Sequence, residues 1–308
     1  MSREQGSVLL MVLVFTSVLF TLALGILGRI QTYVQDSKSY QQKIQANALA
    51  QCGLVWAKLW LSRALEKKSL FLEHSQNKTL GSNTVFWSIQ DEQAKFPLNF
   101  LIDKRGNIAA PYGQIFLRLL QEQGISLQRA QKILLAIKDW SDRDKLNSGD
   151  NGFEQSYYQN VLVPNRPLFF LGELRFIAGV GKELFQRLKK YVTLYSNGKI
   201  NVNTASVLTL ASLITPKERD YFKFAQRMKA YRENSLHLEQ LTSPLWYNRV
   251  AGAKNFKLYH CITVRSHYFS ILSRAKTGFT SYSIKLIVKI ARNKENKIIL
   301  QPVFREIF

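Results

Sequence analysis

The sequence predicts an α+β protein hung on a membrane-spanning N-terminal helix, and three observations carry that prediction. Ser7 to Gly28 run without a single charge, the next being Arg29. The middle of the chain, residues 96–255, is dominated by helical spacing, and after Lys254 the apolar period falls to two. A strand that precedes the helical block needs partners, and the other strand-like segments all follow the block, so the helical residues interrupt one α+β domain.

The order of elements follows from these patterns. Residues 1–6 are a short charged leader and residues 7–28 the transmembrane part of the first helix. Those 22 residues, at ~1.5 Å each, cover ~33 Å, enough to cross a bilayer core of ~30 Å. A secretory signal peptide has a shorter apolar region with a small-x-small site after it. Here a lone Gly6 sits before the run, so cleavage between Gly6 and Ser7 removes the leader and keeps the span. That arrangement resembles a type IV prepilin leader, read by a prepilin peptidase on the cytoplasmic side; an ordinary single-pass anchor fits the segment as well.

Residues 29–95 carry the rest of the long helix and a first strand. Ile30, Tyr33, Val34, Ser37, Tyr40, Ile44, Ala48, Cys52, Val55, Trp56 and Leu59 recur at three and four residues and predict the buried face of a helix ending near Leu72. Glu73 to Asn83 reads as a loop, and Thr84 to Gln90 as a strand. Within residues 96–255, Gln114 to Gln123 forms a helix stopped by Gly124, and Ser126 caps another with Leu127, Ala130, Leu134 and Ile137 on one face. Residues 256–308 hold the C-terminal sheet: Ile284, Leu286, Val288 and Ile290 alternate in one strand. Phe256–Val264, Tyr268–Ala275 and Lys297–Val303 complete an antiparallel meander.

Composition narrows the function classes. The chain is 46% apolar and 12% aromatic, so it is globular rather than disordered. With 43 Lys+Arg against 21 Asp+Glu, the net charge of +22 points to an acidic partner: nucleic acid, an anionic membrane surface or an acidic protein face. Cys52 and Cys261 are compatible with one bridge or with two buried thiols. No catalytic set is found. Gly179-Val-Gly181-Lys182 lacks the spacing of a P-loop, there is no Gly-x-Ser-x-Gly elbow, and adjacent His260 and Cys261 in a strand would face opposite ways. His74, His237 and His267 read as surface or packed residues, so the protein is not expected to be an enzyme.

An ordered set of motifs carries a family resemblance over nearly the whole chain. Lys95-Phe-Pro-Leu-Asn99, Asp139-Trp-Ser-Asp-Arg-Asp144, Gly152-Phe-Glu154, Tyr157-Tyr158, Asn165-Arg-Pro167, Gly172-Glu-Leu-Arg175, Gly198-Lys-Ile-Asn-Val-Asn-Thr-Ala205 and Tyr268-Phe269 together resemble the type II secretion protein K family, the large minor pseudopilins. Pro97 and the Phe of Gly-Phe-Glu depart from the family's usual Asn and Ala, without loss of a charged group. The resemblance implies a pseudopilin-like fold, with the transmembrane helix packed on the C-terminal sheet and a large α-helical domain inserted. It further implies a tip position on the pseudopilus, in a single-pass protein of the inner membrane whose C-terminal domain lies in the periplasm. Minor pseudopilins I and J, other pseudopilus subunits and the prepilin peptidase are the implied partners. Counting from Ser7, the fifth residue is Met11, where most pilin-like proteins carry a Glu thought to neutralise a neighbour's terminal ammonium. A subunit lacking it suits a tip.

Asp139, Asp142, Asp144, Asp150 and Glu154 place five of the 21 acids within sixteen residues. Spacing alone allows a solvated acidic loop or a hard-cation site, since Ca²⁺ takes six to eight oxygens; the EF-hand pattern is not met. The family resemblance implies structural calcium bound by these five residues. The second function considered is a membrane-anchored helix-hairpin-helix DNA-binding protein of a competence-like uptake system. Gly179-Val-Gly181 before a basic helix and Asn201-Val-Asn-Thr-Ala205 resemble such modules. The same hairpin is a stable packing unit without a ligand, and nucleic acid is the less expected partner.

Overall fold

The computed structural model describes residues 3–143, 153, 158, 162–215, 220–293 and 295–308, with side chains from residue 7 onward. The chain opens with one helix of 64 residues, α1 (Arg3–Glu66), followed by strands β1 (His74–Leu80) and β2 (Asn83–Asp91). A helical domain then intervenes. Its helices are α2 (Tyr112–Glu122), α3 (Leu127–Ser141), α4 (Gly181–Leu188), α5 (Val207–Leu213) and α6 (Tyr221–Glu233). Two-residue parallel pairs tie its segments together: β3 (Phe96–Pro97) with β4 (Val192–Thr193), and β5 (Ile200–Asn201) with β6 (Ile262–Thr263). Strands β7 (Tyr268–Thr277), β8 (Thr280–Arg292) and β9 (Ile298–Ile307) close the chain.

The five long strands form one antiparallel sheet in the order β1-β2-β7-β8-β9. Asp91 pairs with Phe269, so the helical domain leaves and re-enters the sheet at neighbouring points. Each half has its own apolar core. One lies between α1 and the inner sheet face, around Trp87, Ile89, Phe269, Ile271, Ile284, Leu286 and Val288. The other fills the helical domain, around Phe116, Ile133, Trp140, Phe224 and Trp246.

The sheet rests on α1 through small residues. Ala46, Ala50, Gly53, Ala57 and Leu61 follow the three-to-four spacing of one helix stripe and are buried. A methyl group at Gly53 would stand 2.2 Å from Ser273 Oγ and 2.9 Å from Val85 Cγ1, so only glycine allows this approach. Among the described residues no side chain before Ala46 is buried. Residues 36–308 therefore retain all the packing of the folded part.

The structure corrects five readings of the sequence. The apolar stripe from Ile30 to Leu59 is not the buried face: Ile30, Tyr33, Val34, Tyr40, Ile44, Val55 and Leu59 are exposed, because the sheet demands the smaller residues of the neighbouring stripe. The helix stops at Glu66, not near Leu72. Lys68 turns to φ 55°, with Ser69 N–H bonded to Ala64 O and Lys68 N–H to Leu65 O, a left-handed stop that outweighs the apolar residues beyond it. Residues 74–80 form edge strand β1 rather than a loop. Its outward polar residues hide the alternation, while a two-residue turn with Gly81 at φ 60° sets the register Leu80 to Asn83. Phe256–Val264 is not a continuous strand: Leu258 makes an isolated antiparallel bridge with Ile214, and Ile262–Thr263 pairs with β5, which is itself two residues long. Ser126 does cap α3, its Oγ accepting from Arg129 N–H, but Leu127 stands exposed while Ala130, Leu134 and Ile137 are buried.

Candidate functional site

Asp139 and Asp142 occupy the last turn of α3 and its C-cap, and both are buried, at 0% and 2% exposure. The spacing of three brings both carboxylates to one side of the helix end. Asp139 Oδ2 accepts from Phe153 N–H at 2.6 Å, and Lys138 Nζ lies 3.6 Å from Asp142 Oδ2. Asp142 also lines a cleft of about 670 Å³ with Asn99, Asp103, Gly106 and Ser141. The cleft offers oxygen donors and no His or Cys, but Lys104, Arg105 and Arg143 line it as well. Asp144, Asp150 and Glu154 lie outside the described residues. Among the described residues no three His, Cys, Asp or Glu side chains gather in one place, so the two buried aspartates are the described part of the expected ligand set.

A second polar centre, missed by the sequence reading, sits where the helical domain joins the sheet. Asp91 ends β2 at 1% exposure. Its Oδ2 accepts from Asn201 Nδ2 at 2.9 Å, Thr204 Oγ1 at 2.5 Å and Ser266 Oγ at 2.6 Å, while Oδ1 accepts from Gln93 N–H at 2.8 Å. Burial outweighs these bonds and pushes the Asp91 carboxyl above the usual carboxylate range. Beside it, burial also raises Glu73, which accepts Asp91 N–H at 3.2 Å. Glu92 goes the other way: burial raises it, but Lys95 at 2.8 Å and Thr193 Oγ1 at 2.6 Å outweigh that and hold it low.

Asn201-Val-Asn-Thr-Ala205 is thereby used internally. Asn203 Nδ2 donates to Leu241 O at 3.0 Å, and Arg232 donates to Val202 O at 2.8 Å. The motif fastens domains together and has no side chain left for a phosphate. No local signal in the sequence marks Asp91, because the strand Asn83–Asp91 mixes polar and apolar residues along its length.

The hairpin turn keeps both glycines at positive φ, Gly179 at 81° and Gly181 at 62°. Arg129 donates to Gly179 O at 3.1 Å, and Val180 N–H donates to Ile177 O. His260 is exposed and Cys261 buried, as their adjacency implied. Burial pushes the Cys261 thiol up to about 11. Cys52 is not buried; it stands on the outer side of α1, and both thiols are free.

That outer side is itself a candidate surface. Ile44, Ala48, Cys52 and Val55 line a shallow cleft, and the exposed stripe continues through Leu59. Towards the N-terminus α1 is apolar all round, with a mean hydropathy of 2.6 in its most apolar stretch and nothing packed on it, so it is long and apolar enough for a single-pass anchor.

A helix apolar on two faces, a sheet on one of them and a helical domain let into that sheet define an α+β protein with an inserted domain and an N-terminal helix fitted to serve as a single-pass anchor. The family model for type II secretion system protein K matches residues 94–197. Protein K of Klebsiella pneumoniae is 31% identical over 66% of this chain and 67% of its own length, and that of Aeromonas hydrophila 26% identical over 97% and 96%. The fold resembles the crystal structure of the GspK-GspI-GspJ complex from enterotoxigenic Escherichia coli, with a TM-score of 0.62, 20% identity and coverage of 89% of this chain and 99% of that one. The chain belongs to the type II secretion system protein K family, and its work lies in protein secretion.

The Asp91 junction yields a first expectation. Replacing Asp91 with Ala takes the acceptor from three buried donors and one half-buried one, so urea unfolding of residues 36–308 should show a loss of about 3 kcal/mol or more. A loss under about 1 kcal/mol would mean that the junction does not depend on the carboxylate.

Proposed function

We propose that the protein is the minor pseudopilin at the tip of the type II secretion pseudopilus, held in the inner membrane by residues 7–28 with its folded part in the periplasm. The observation that carries this reading is the exposed apolar stripe of α1, Ile44 to Leu59, on the side of the helix away from the sheet. A surface of that length costs free energy in water and is relieved by a second apolar helix laid against it. Pseudopilins I and J are the proposed occupants; the solved structure whose fold this chain shares is of a protein complexed with GspI and GspJ. Met11 in place of an acid removes the charge that would have met a following subunit's ammonium, which fits a subunit with nothing above it.

Residues 36–308, mixed with the soluble parts of I and J, should co-elute as a complex. Val55→Arg, which places a charge in the stripe, should weaken that association at least tenfold while leaving the melting temperature unchanged, because Val55 touches no sheet residue in the core. Unaltered association would move the contact elsewhere.

The leader is proposed to be cut between Gly6 and Ser7 by a prepilin peptidase. Mass spectrometry of the N-terminus from native membranes should find Ser7 first, and an intact Met1 or a terminus beyond residue 28 would overturn this.

The acidic loop is proposed to hold structural calcium through Asp139, Asp142, Asp144, Asp150 and Glu154. Supporting it, two of these carboxylates are buried together at the end of α3, where a bound cation would offset their mutual repulsion. At calcium about 100-fold above Kd the gain is about 2.7 kcal/mol, or several degrees in melting temperature. Glu154→Ala should remove most of the difference between calcium and chelator. Identical wild-type curves in both would leave only a solvated loop.

A further inference from the structure

The net charge of +22 is not absorbed by any contact described above, and part of it gathers on one face of the helical domain. Arg175, Lys182, Arg187, Lys189 and Lys190 are all exposed along the hairpin turn and α4, against the single exposed acid Glu183. The start of α3 is laced to the same turn by the Arg129–Gly179 bond and adds exposed Lys132. The end of α2 is joined to it by Arg187, which donates to Gln123 O at 2.8 Å. Among the described residues, Lys132, Arg175, Lys182, Lys189 and Lys190 form no ion pair.

Exposed large apolar side chains belong to the same segments as these cations. Phe169 is 70% exposed, Phe176 52% and Leu127 48%. Phe176 directly follows Arg175 and stands three residues before Gly179, while Leu127 lies two residues from Arg129 on the neighbouring element. The Arg166 guanidinium stacks over the Phe169 ring at 3.7 Å, and the side chain remains largely exposed.

We propose that this face docks on an anionic phospholipid surface, the cations meeting headgroup phosphates and the Phe169, Phe176 and Leu127 side chains entering the headgroup boundary. Cations alone would suit nucleic acid, but duplex phosphates offer no environment for exposed phenylalanines, whereas the membrane interface buries such side chains. The hairpin also spends its Val180 N–H on Ile177 O, which weakens its case as a phosphate clip. The chain's own span keeps it beside a bilayer, so even modest surface affinity acts at high effective concentration. This inference goes beyond the pseudopilin reading and stands or falls separately from it.

The test is co-sedimentation of residues 36–308 with vesicles of phosphatidylcholine, either pure or with about 30 mol% phosphatidylglycerol. Binding to the anionic vesicles should be at least tenfold tighter. With about fivefold per lysine lost near the surface, or on the order of 100-fold for three, the triple change Lys182→Glu, Lys189→Glu, Lys190→Glu should lower it by more than about 100-fold, because each site also gains a negative charge. The milder Lys→Gln triple should lower it less, and both should keep the parent melting curve, since all three residues are exposed. Phe169→Ser with Phe176→Ser should weaken binding and make what remains more sensitive to salt. Equal binding to both vesicles, indifference to the lysine changes, or displacement by duplex DNA at concentrations below the lipid would each overturn the proposal, the last in favour of a nucleic-acid surface.

Discussion

The approach of α1 to the sheet at Gly53 is the constraint on which the rest depends. A helix backbone this near to β2 and β7 excludes every side chain larger than hydrogen at the contact, and alanines flank it along the same stripe. The bulkier apolar residues of the helix are therefore turned outward. One sequence thus provides a thin, dry seam for folding and a thick apolar ridge for association, separated only by rotation about the helix axis. Burying the ridge instead would lift the helix off the sheet and break the packing of Val85 and Ser273 against it.

The inserted domain depends on a different kind of contact. Its core is separate from that of the sheet, and apolar packing across the boundary is limited, so orientation is set by directional bonds. Asp91 collects donors from three chain segments, and Gln93 adds three more ties, accepting from His267 N–H at 2.6 Å and donating to Asn197 Oδ1 at 2.6 Å and Lys199 O at 3.1 Å. Apolar surfaces slide over one another at small cost, whereas a carboxylate with four donors has one arrangement that satisfies all of them. A family motif that looks like a ligand loop in the sequence is, in the fold, a joint.

Much of the architecture was legible because it repeats. The alternation of Ile284, Leu286, Val288 and Ile290 marks β8 directly, and Ser126 marks the start of α3. Strand β1 was not legible, since His-Ser-Gln-Asn-Lys-Thr-Leu has no apolar alternation, and an edge strand needs none. The buried face of α1 was misread because hydrophobicity ranks leucine and isoleucine above alanine and glycine, while the sheet selects by size. Asp91 was invisible for a different reason: its side-chain partners lie 110, 113 and 175 residues away, and a pattern read along the chain holds no trace of them. Of the acidic cluster, Asp139 and Asp142 are buried at the end of α3, and its other three members lie outside the described residues.

Asp91 and Phe269, the points where the helical domain leaves and rejoins the sheet, are partners in one antiparallel pair, so they stand about 5 Å apart. To the sheet, the whole insertion is equivalent to a hairpin turn. Its length and shape can change without straining any strand, because no distance within the sheet is set by it. The domain is therefore free to diverge as an independent module while the anchor, helix and sheet keep one geometry.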